Sequence, residues 1–368
     1  MDANGEDGRL QDARSGAERL ARTGDLASGM AVETADPSSA AAPDVFAPSS
    51  RPVNWWSVVL KVAISLGAVA LVLMNVDLTS ALGKLRQQNP WLVAGAVAVM
   101  LGQVALGALR WHVIRRGLGA HVAYRNSFDL FYIGGFFSTY VWSAISGDVV
   151  RAWLSYRAGV RPSVAINSVV LDRVVIIAGL TVMMLVSTWW FYGHFGFGWE
   201  TWFPAALAMA LLCGITMGAL ADRLPALLRS FPPVRLAQSL GGAAREIFLR
   251  PRVAASALLA AIAAQTVLAV SVYFLARSLS MGVSFLDCLV LMQLVAVINA
   301  IPITIGGWGV RELSMVGLFS ILDVPAAAAL VLSVQIGLLG LVVNLPGGLI
   351  WLARPQADRQ ASPMAQTA

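Results

Sequence analysis

The chain has 368 residues, of which 58% are hydrophobic and only 12% are charged, whereas soluble domains carry about 25% charged residues. A mean hydropathy of +0.71 and repeated apolar runs of about 20 residues exclude an ordinary soluble domain and predict a helical membrane protein with several spans. The net charge of +6 comes mainly from basic residues between these runs, as in cytoplasmic loops, and so does not indicate a nucleic-acid partner.

The N-terminal segment differs in composition from everything after it. Residues 1–51 hold nine acidic side chains and five arginines and end in a stretch rich in proline, serine and alanine. Such a segment cannot bury enough apolar surface to offset the entropy lost on ordering, so we predict a disordered tail. It also lacks the basic region followed at once by an apolar core that marks a signal peptide.

Two apolar runs follow the tail. The first predicted span covers residues 55–74, and the second begins at Asn89-Pro90-Trp91 and ends at Leu109. The next loop has no acidic residue before Asp129, and its basic residues are Arg110, Arg115, Arg116 and Arg125. Because positively charged loops stay in the cytoplasm, this loop and the N-terminal tail are predicted to be cytoplasmic.

The third apolar run conflicts with the same charge rule. If residues 128–145 crossed the membrane completely, Arg157 and Arg161 would face outward. A re-entrant hairpin removes the conflict: residues 128–145 descend, the chain turns at Ser146-Gly147, and residues 148–160 return to the cytoplasm. A bilayer tolerates such a break only where protein or water satisfies the backbone, so the turn indicates a buried site.

Three further spans are predicted over residues 165–190, 203–220 and 252–276. The loop between the second and the third holds six arginines and two acidic residues over residues 221–252, which places it in the cytoplasm. A second hairpin is predicted over residues 286–322, and a last span over residues 326–351 ends before a cytoplasmic Arg354.

The two predicted hairpins share a motif. Ile145-Ser146-Gly147-Asp148-Val149-Val150-Arg151 aligns with Ile305-Gly306-Gly307-Trp308-Gly309-Val310-Arg311, and the isoleucine, second glycine, second valine and arginine coincide. The first hairpin enters from the cytoplasm and the second from outside. The sequence therefore predicts two structural repeats with opposite orientations in the membrane, as in many transporters.

The predicted fold class is an all-α polytopic membrane protein built from two inverted repeats, each with three transmembrane helices and one re-entrant helical hairpin. The transmembrane domain covers residues 52–352, with halves of about 52–192 and 200–352, and residues 353–368 form a short cytoplasmic tail. The alternative treats both hairpins as full spans, which gives eight crossings and leaves both termini cytoplasmic.

Two arginines of the hairpins are predicted to lie inside the membrane. A charge at the bilayer centre costs about 2.5–3.5 kcal/mol, so Arg151 and Arg311 need partners. Asp148 lies on the same helical face as Arg151, whereas the neighbouring Glu312 is expected to point away from Arg311. One interpretation is therefore purely structural, with Arg151 paired to Asp148, or Arg173 to Asp172.

The other interpretation is a binding site for an anionic headgroup. The glycines permit tight turns, after which a half-helix presents free N–H groups and the positive end of its dipole. Two such tips together with guanidinium groups would hold a phosphate. The predicted site comprises Gly147, Asp148, Arg151, Asp172, Arg173, Gly306, Gly307, Arg311 and Glu312.

No residue pattern indicates catalysis, a cofactor or a metal ion. The three histidines, His112, His121 and His194, lack ligand spacing, and Cys213 and Cys288 are lone thiols in apolar runs. No order of nucleophile, histidine and acid occurs, and no soluble stretch is long enough for a catalytic domain. We therefore expect a protein that is not an enzyme.

Three motifs carry a family resemblance: Ser146-Gly147-Asp148-Val149-Val150-Arg151, then Leu171-Asp172-Arg173, then Ile301-Pro302-Ile303-Thr304-Ile305-Gly306-Gly307-Trp308-Gly309-Val310-Arg311-Glu312. In this order they resemble the flippase-like family, also called the lysylphosphatidylglycerol synthase transmembrane-region family, over about residues 55–352. The resemblance implies the lipid-translocating part of these proteins without the separate domain that makes the aminoacylated lipid. Trp142 and Ser146 replace a proline and a glycine of the family pattern, which predicts a less sharply broken first hairpin.

The expected function is translocation of an anionic phospholipid or a lipid-linked headgroup across the inner membrane, with the headgroup bound between the two hairpins. The alternative is a membrane scaffold or accessory subunit of an enzyme that assembles lipids or glycans. A cavity between the hairpins would favour transport, and a site plugged by side chains would favour the scaffold. The expected partners are membrane lipids and a separately encoded lipid-modifying enzyme, and no nucleic acid.

Overall fold

The structure is a computed structural model, and it describes Gly83 and residues 88–140, 146–219, 250–300 and 308–354. The predicted tail, the predicted first span and most of the C-terminal tail lie outside the described residues. Residues 141–145, just before the predicted turn at Ser146-Gly147, residues 301–307, which hold most of the second predicted turn, and residues 220–249 of the predicted arginine-rich loop also lie outside the described residues.

The described part of the chain contains nine α-helices and no strand. In chain order they are α1 (Pro90–Gly117), α2 (Tyr124–Tyr140), α3 (Ser146–Arg157), α4 (Pro162–Phe195), α5 (Trp199–Ala219), α6 (Pro251–Ser278), α7 (Phe285–Ala300), α8 (Val310–Phe319) and α9 (Ala326–Leu352), with a 3₁₀ turn at Ser320–Leu322 after α8.

Five of these helices, α1, α4, α5, α6 and α9, are long and apolar enough to cross a membrane. Each overlaps a predicted span and begins within about four residues of its predicted start, and the chain is an integral membrane protein whose described part is helical. The short helices α3 and α8 have 12 and 10 residues, or about 18 and 15 Å of helix at 1.5 Å per residue. Neither is long enough to cross the hydrocarbon core, which is about 30 Å thick.

The second predicted span begins where the sequence indicates and ends later. The side chain of Asn89 accepts a hydrogen bond from the backbone of Trp91 at 3.0 Å, and Pro90 occupies the first turn of α1. The predicted end at Leu109 is wrong, because α1 continues to Gly117. Arg110 and Arg115 were assigned to a loop, but they lie in this extension and are buried against other helices.

Helices α1 and α6 pack against each other along their lengths and run antiparallel. Arg250, just before α6, donates to the carbonyl of Gly117 at the end of α1 at 2.7 Å. At the other end, the Ser271 hydroxyl of α6 donates to the carbonyl of Ala96 in α1 at 2.9 Å. Helices α2, α4, α7 and α9 each pack against one or both helices of this pair.

The ends of α1 and α6 have the same backbone geometry. After α1, Gly119 has a φ of 84°, and its N–H donates to the carbonyl of Arg116 at 3.0 Å. After α6, Ser280 has a φ of 55°, and its N–H donates to the carbonyl of Arg277 at 3.0 Å. Both turns thus place one residue in the left-handed region, where side chains other than glycine are uncommon.

The turns that lead into α4 and α9 also match. Gly159 has a φ of 84° and Asp323 a φ of 53°, and each is followed by a valine. The N–H of Val160 donates to the carbonyl five residues back at 3.2 Å, and the N–H of Val324 does the same at 3.3 Å. Two left-handed turns therefore recur in the same order in the first and second parts of the chain.

Helices α2 and α3 form a close antiparallel pair. Arg115 at the end of α1 donates to Ser127 in the first turn of α2 at 2.9 Å and to Ser155 in the last turn of α3 at 3.0 Å. At the opposite end of the pair, the Ser146 hydroxyl donates to the carbonyl of Phe137 at 2.8 Å. The start of α2 and the end of α3 therefore meet at the end of α1.

Glycine allows this close packing. A Cβ atom on Gly147 would collide with the Ser138 hydroxyl and the Gly134 carbonyl of α2. We therefore expect Gly147→Ala to destabilise the protein by about 1–3 kcal/mol through overpacking. Gly102→Ala is the matched control, because a Cβ atom there meets nothing within 4 Å and alanine favours the helix by about 1 kcal/mol. Thermal unfolding of both variants in detergent measures the difference, and equal midpoints would contradict the close-packing role.

Helices α7 and α8 form the second pair, and it begins at the other end of α4. The indole N–H of Trp190, near the end of α4, donates to Asp287 in the first turn of α7 at 2.8 Å. The start of α4 lies beside the end of α1, where Trp111 donates to Ser168 at 3.2 Å. Since α2 begins beside the end of α1, the two pairs begin at opposite ends of α4.

Candidate functional site

Five charged side chains from α1, α3 and α4 form one network. Asp172 accepts from Arg110 Nε at 2.7 Å and from Arg151 Nη1 at 3.2 Å. Asp148 accepts from Arg151 Nη2 at 2.7 Å and from Arg173 Nε at 2.8 Å. Arg151 therefore links the two carboxylates, while Arg110 and Arg173 lie at the ends of the network.

The network is buried and carries a surplus of positive charge. The Asp172 side chain is 1% exposed and that of Arg151 is 6% exposed, whereas Arg173 is half exposed. Three guanidinium groups face two carboxylates, which leaves one positive charge. Neutralising either carboxylate would add a second uncompensated positive charge to this buried site. The stability of the network therefore depends on both carboxylates.

Aromatic rings and a glycine hold Arg151 in place. Its guanidinium lies 5.1 Å from the ring centre of Trp111 and 5.0 Å from that of Phe131, within the range of cation–π attraction. A Cβ atom on Gly134 would collide with the aliphatic part of Arg151, so the glycine provides its space.

The sequence predicted part of this network. The expected pairing of Arg151 with Asp148 is confirmed. Arg173 pairs with Asp148 instead of its neighbour Asp172, because consecutive helical residues point in different directions and each reaches across to another helix. Arg110 was missed, because it follows the last apolar residue of the predicted span and resembles a loop arginine.

Arg115 is a second buried arginine that sequence reasoning missed. It is fully buried, lies 4.6 Å from the ring centre of Trp111, and donates to side-chain oxygens of Asn126, Ser127 and Ser155. No described carboxylate bonds to it, so its charge adds to the positive surplus at this end of the bundle.

The second predicted arginine lies in a smaller cluster between α8 and α9. Arg311 Nη2 donates to Glu312 at 2.6 Å, and Arg311 Nε lies 3.3 Å from the Ser333 hydroxyl, to which it donates. The expectation that Glu312 points away from Arg311 is wrong. Glu312 lies in the first turn of α8 and folds back to accept from the N–H of Gly309, so the long side chain of Arg311 can reach it.

The Arg311 side chain lies between the indole of Trp308 and α9. Its guanidinium is 4.5 Å from the ring centre of Trp308, and a Cβ atom on Gly337 would collide with it. Of the predicted glycines, Gly147 packs against α2, while Gly306 and Gly307 lie outside the described residues.

A cavity of about 260 Å³ lies among α1, α2, α4, α6 and α9. Its polar lining consists of Arg110, Gln103, Gln265 and Asn344, and its apolar lining includes Phe131. Arg110 donates to Asp172 through Nε and Nη2, and among the described residues no group accepts from its other nitrogen. The charged network therefore contacts the cavity through one guanidinium that can still donate.

A family model described as the lysylphosphatidylglycerol synthase TM region matches residues 58–348. The chain belongs to this family. The match confirms the predicted resemblance, and it contains the charged network, the Arg311 cluster and the cavity. Membership of the lysylphosphatidylglycerol synthase TM-region family supports a lipid-related function in the membrane. No individually curated protein matches the chain.

Proposed function

We propose that this chain translocates an anionic phospholipid or a lipid-linked headgroup across the plasma membrane and catalyses no reaction. The observation that carries the proposal is the cavity with Arg110 on its wall, in a member of a lipid-related membrane family. A buried network with surplus positive charge lies directly behind that arginine. A phosphate in the cavity would accept charge-assisted hydrogen bonds, which are about twice as strong as neutral ones.

The proposed architecture is a pair of inverted repeats with re-entrant hairpins. Three observations support it: the matching turns after α1 and α6, the matching turns before α4 and α9, and the opposite ends at which α2 and α7 begin. The packing of the helices corresponds as well, since α2 contacts α1, α3 and α9, while α7 contacts α6, α8 and α4. The short α3 and α8 fit helices that return to the surface from which they entered.

The cavity lies where the two proposed halves meet. Helices α1, α2 and α4 of the first half and α6 and α9 of the second contribute to its walls. In inverted-repeat transporters, substrates bind at such a contact, and small rotations of one half against the other open the site to each side in turn. A lipid headgroup would pass through this cavity while its acyl chains stay in the bilayer.

Arg151 and Arg311 would support this passage in different ways. Arg151 is held by two carboxylates and orients Asp172, which in turn orients Arg110 at the cavity. Arg311 lies against Gly337, one turn before the cavity residue Gly340 of α9. Arg151 also contacts the cavity residue Phe131, so on each half an arginine contacts a helix that lines the cavity.

The proposed topology places both termini and the arginine-rich end of the bundle in the cytoplasm. Arg116 and Arg161 are exposed near the start of α2 and the end of α3, and Ser320 is exposed at the end of α8. With Cys213 and Cys288 replaced by serine, we expect Arg116→Cys and Arg161→Cys to react with an impermeant thiol reagent from the cytoplasmic side and Ser320→Cys from the outside. Labelling of Arg161→Cys from outside would contradict the first re-entrant hairpin.

The function itself is tested by reconstitution. We expect the full chain in phosphatidylcholine vesicles to move a fluorescent phosphatidylglycerol between leaflets, measured by dithionite quenching, at least tenfold faster than protein-free vesicles. A transport rate equal to that of vesicles holding an unrelated membrane protein would contradict the proposal. It would favour the scaffold function, in which the cavity serves as a fixed contact for a lipid of a separate enzyme.

A further inference from the structure

Two glutamines face the cavity from the central pair of helices. Gln103 belongs to α1 and Gln265 to α6, and each side chain is partly exposed at the cavity wall. Among the described residues, neither carboxamide has a hydrogen-bond partner. Asn344 of α9 also lines the cavity, but its amide nitrogen donates to the carbonyl of Gly340 at 2.8 Å.

Amides that line a cavity without a hydrogen-bond partner favour a polar occupant. Both glutamines are only partly exposed, so an occupant that forms hydrogen bonds with their carboxamides is favoured over an apolar one. Each glutamine offers two donors and one acceptor. A hydroxyl both donates and accepts, and it can therefore satisfy either part of a carboxamide.

The charges around the cavity disfavour an amine. Arg110 is the one charged side chain among the described residues of the lining, and no carboxylate occurs among them. An ammonium group would lie near a guanidinium without an acidic partner, and it would leave the glutamine N–H groups unpaired. A phosphate, by contrast, is favoured in this cavity, because its oxygens accept charge-assisted hydrogen bonds from Arg110.

The size of the cavity limits the occupant to a headgroup. At about 260 Å³ it falls below the range of about 300–1,000 Å³ typical of sites for drug-sized molecules. A phosphate ester of a small polyol fits this description, whereas a complete lipid does not.

We propose that the cavity selects lipids whose headgroup is a phosphate ester of a polyol, such as phosphatidylglycerol, and rejects headgroups that carry an amine. This selectivity rests on the proposed function, because it assigns the same cavity to the lipid that is moved. It separates this chain from a carrier of lysylated phosphatidylglycerol, whose lysyl group adds two ammonium groups. Gln103 and Gln265 bind the hydroxyls, and Arg110 binds the phosphate.

The test measures binding separately from transport. The full chain, purified in a neutral detergent, is titrated with phosphatidylglycerol, phosphatidic acid, phosphatidylethanolamine and lysylphosphatidylglycerol, and bound lipid is counted by native mass spectrometry. We expect phosphatidylglycerol to bind about tenfold more tightly than phosphatidic acid, which has no hydroxyls beyond its phosphate, since two additional hydrogen bonds give about this factor. The two amine lipids should bind more weakly than phosphatidic acid.

Variants test the assignment to the two glutamines. Gln103→Met and Gln265→Met should each lower the affinity for phosphatidylglycerol about threefold, and together they should remove the preference for phosphatidylglycerol over phosphatidic acid. Gln293→Met is the matched control, because Gln293 is a buried glutamine of α7 that does not line the cavity. Its lipid preference should equal that of the unmodified protein.

The outcomes separate this inference from the proposed function. Equal binding of phosphatidylglycerol and phosphatidic acid, tight binding of an amine lipid, or no binding at all would overturn the inference. Selective binding without movement in vesicles would overturn translocation and leave the selective site intact. Movement of all four lipids at equal rates with no binding preference would support translocation and overturn the selectivity.

Discussion

Asp172→Asn is expected to lower the free energy of unfolding by about 3–5 kcal/mol. Asp172 is 1% exposed and accepts hydrogen bonds from both Arg110 and Arg151. Without its charge, the network holds three guanidinium groups and the single carboxylate of Asp148. Two surplus positive charges then lie in a buried site, and the asparagine can offer only one oxygen to two donors.

The measurement is the amount of protein in the membrane fraction together with the thermal midpoint in detergent. Asp323→Asn is the control, because Asp323 is exposed at a left-handed turn position where asparagine is well tolerated. We expect the control to behave as the unmodified protein. If Asp172→Asn unfolds at the same temperature as Asp323→Asn, the network does not stabilise the fold, and the buried charges must be offset in another way.

A double variant distinguishes the effect of charge balance in the network from the effect of hydrogen-bond geometry at Asp172. Asp172→Asn combined with Arg110→Gln removes one charge of each sign and leaves Arg151 and Arg173 with Asp148. We expect this double variant to recover most of the stability that the single variant loses, since neutralising a buried pair together costs far less than breaking it. An equal loss in both variants would mean that hydrogen-bond geometry at Asp172, not charge balance, holds α1 to α4.

The sequence predicted the spans well because apolar length is a strong signal. The predicted start of the second span at Asn89 is confirmed by its capping hydrogen bond, and the last span is predicted to within a residue. Bilayer thickness sets the length of a crossing helix, so these elements follow from composition alone.

The ends of the helices and the charged contacts were harder to predict. A loop arginine and an arginine in the last two turns of a helix look alike in sequence, and for this reason Arg110 and Arg115 were misplaced. Their burial depends on which way the helix faces, and that is set by partners distant in sequence: Asp172 for Arg110, and Ser127 and Ser155 for Arg115. The prediction from Arg151 succeeded because its partner Asp148 lies one turn away on the same helix.

The contact between Arg311 and Glu312 could not be predicted from the directions of side chains in a regular helix. Adjacent residues in a helix interior point about 100° apart, but Arg311 and Glu312 lie in the first turn, where the Glu312 side chain bends back to the free N–H of Gly309. The cavity was not visible from sequence either. Gln103, Gln265 and Asn344 resemble polar residues that join helices, and only the packing of five helices places them around one space.

Arg151→Gln is expected to leave a folded protein and to slow the movement of anionic lipid about tenfold or more. The remaining charges pair as Arg110 with Asp172 and Arg173 with Asp148, so the network becomes neutral and no carboxylate loses its last partner. The surplus positive charge behind the cavity is lost, and with it the orientation that Arg151 gives to Asp172. Arg151→Lys keeps the charge but cannot reach both carboxylates at once, so we expect an intermediate rate.

Arg173→Gln is the matched control for net charge. It also makes the network neutral, but it removes a half-exposed arginine that contacts Asp148 only. If the buried guanidinium of Arg151 supports the headgroup site, Arg173→Gln should reduce lipid movement far less than Arg151→Gln does. Equal losses in the two variants would assign the effect to net charge alone.

Asp148→Asn combined with Arg151→Gln completes the comparison. This double variant restores one surplus positive charge, since Arg110 and Arg173 then face Asp172, but it still lacks the Arg151 guanidinium. We expect it to remain folded, with a thermal midpoint close to that of Arg151→Gln, and to remain slow in the vesicle assay. Full lipid movement in the double variant would show that Arg151 and Asp148 form a structural pair only, and it would end the assignment of the first hairpin to the headgroup site.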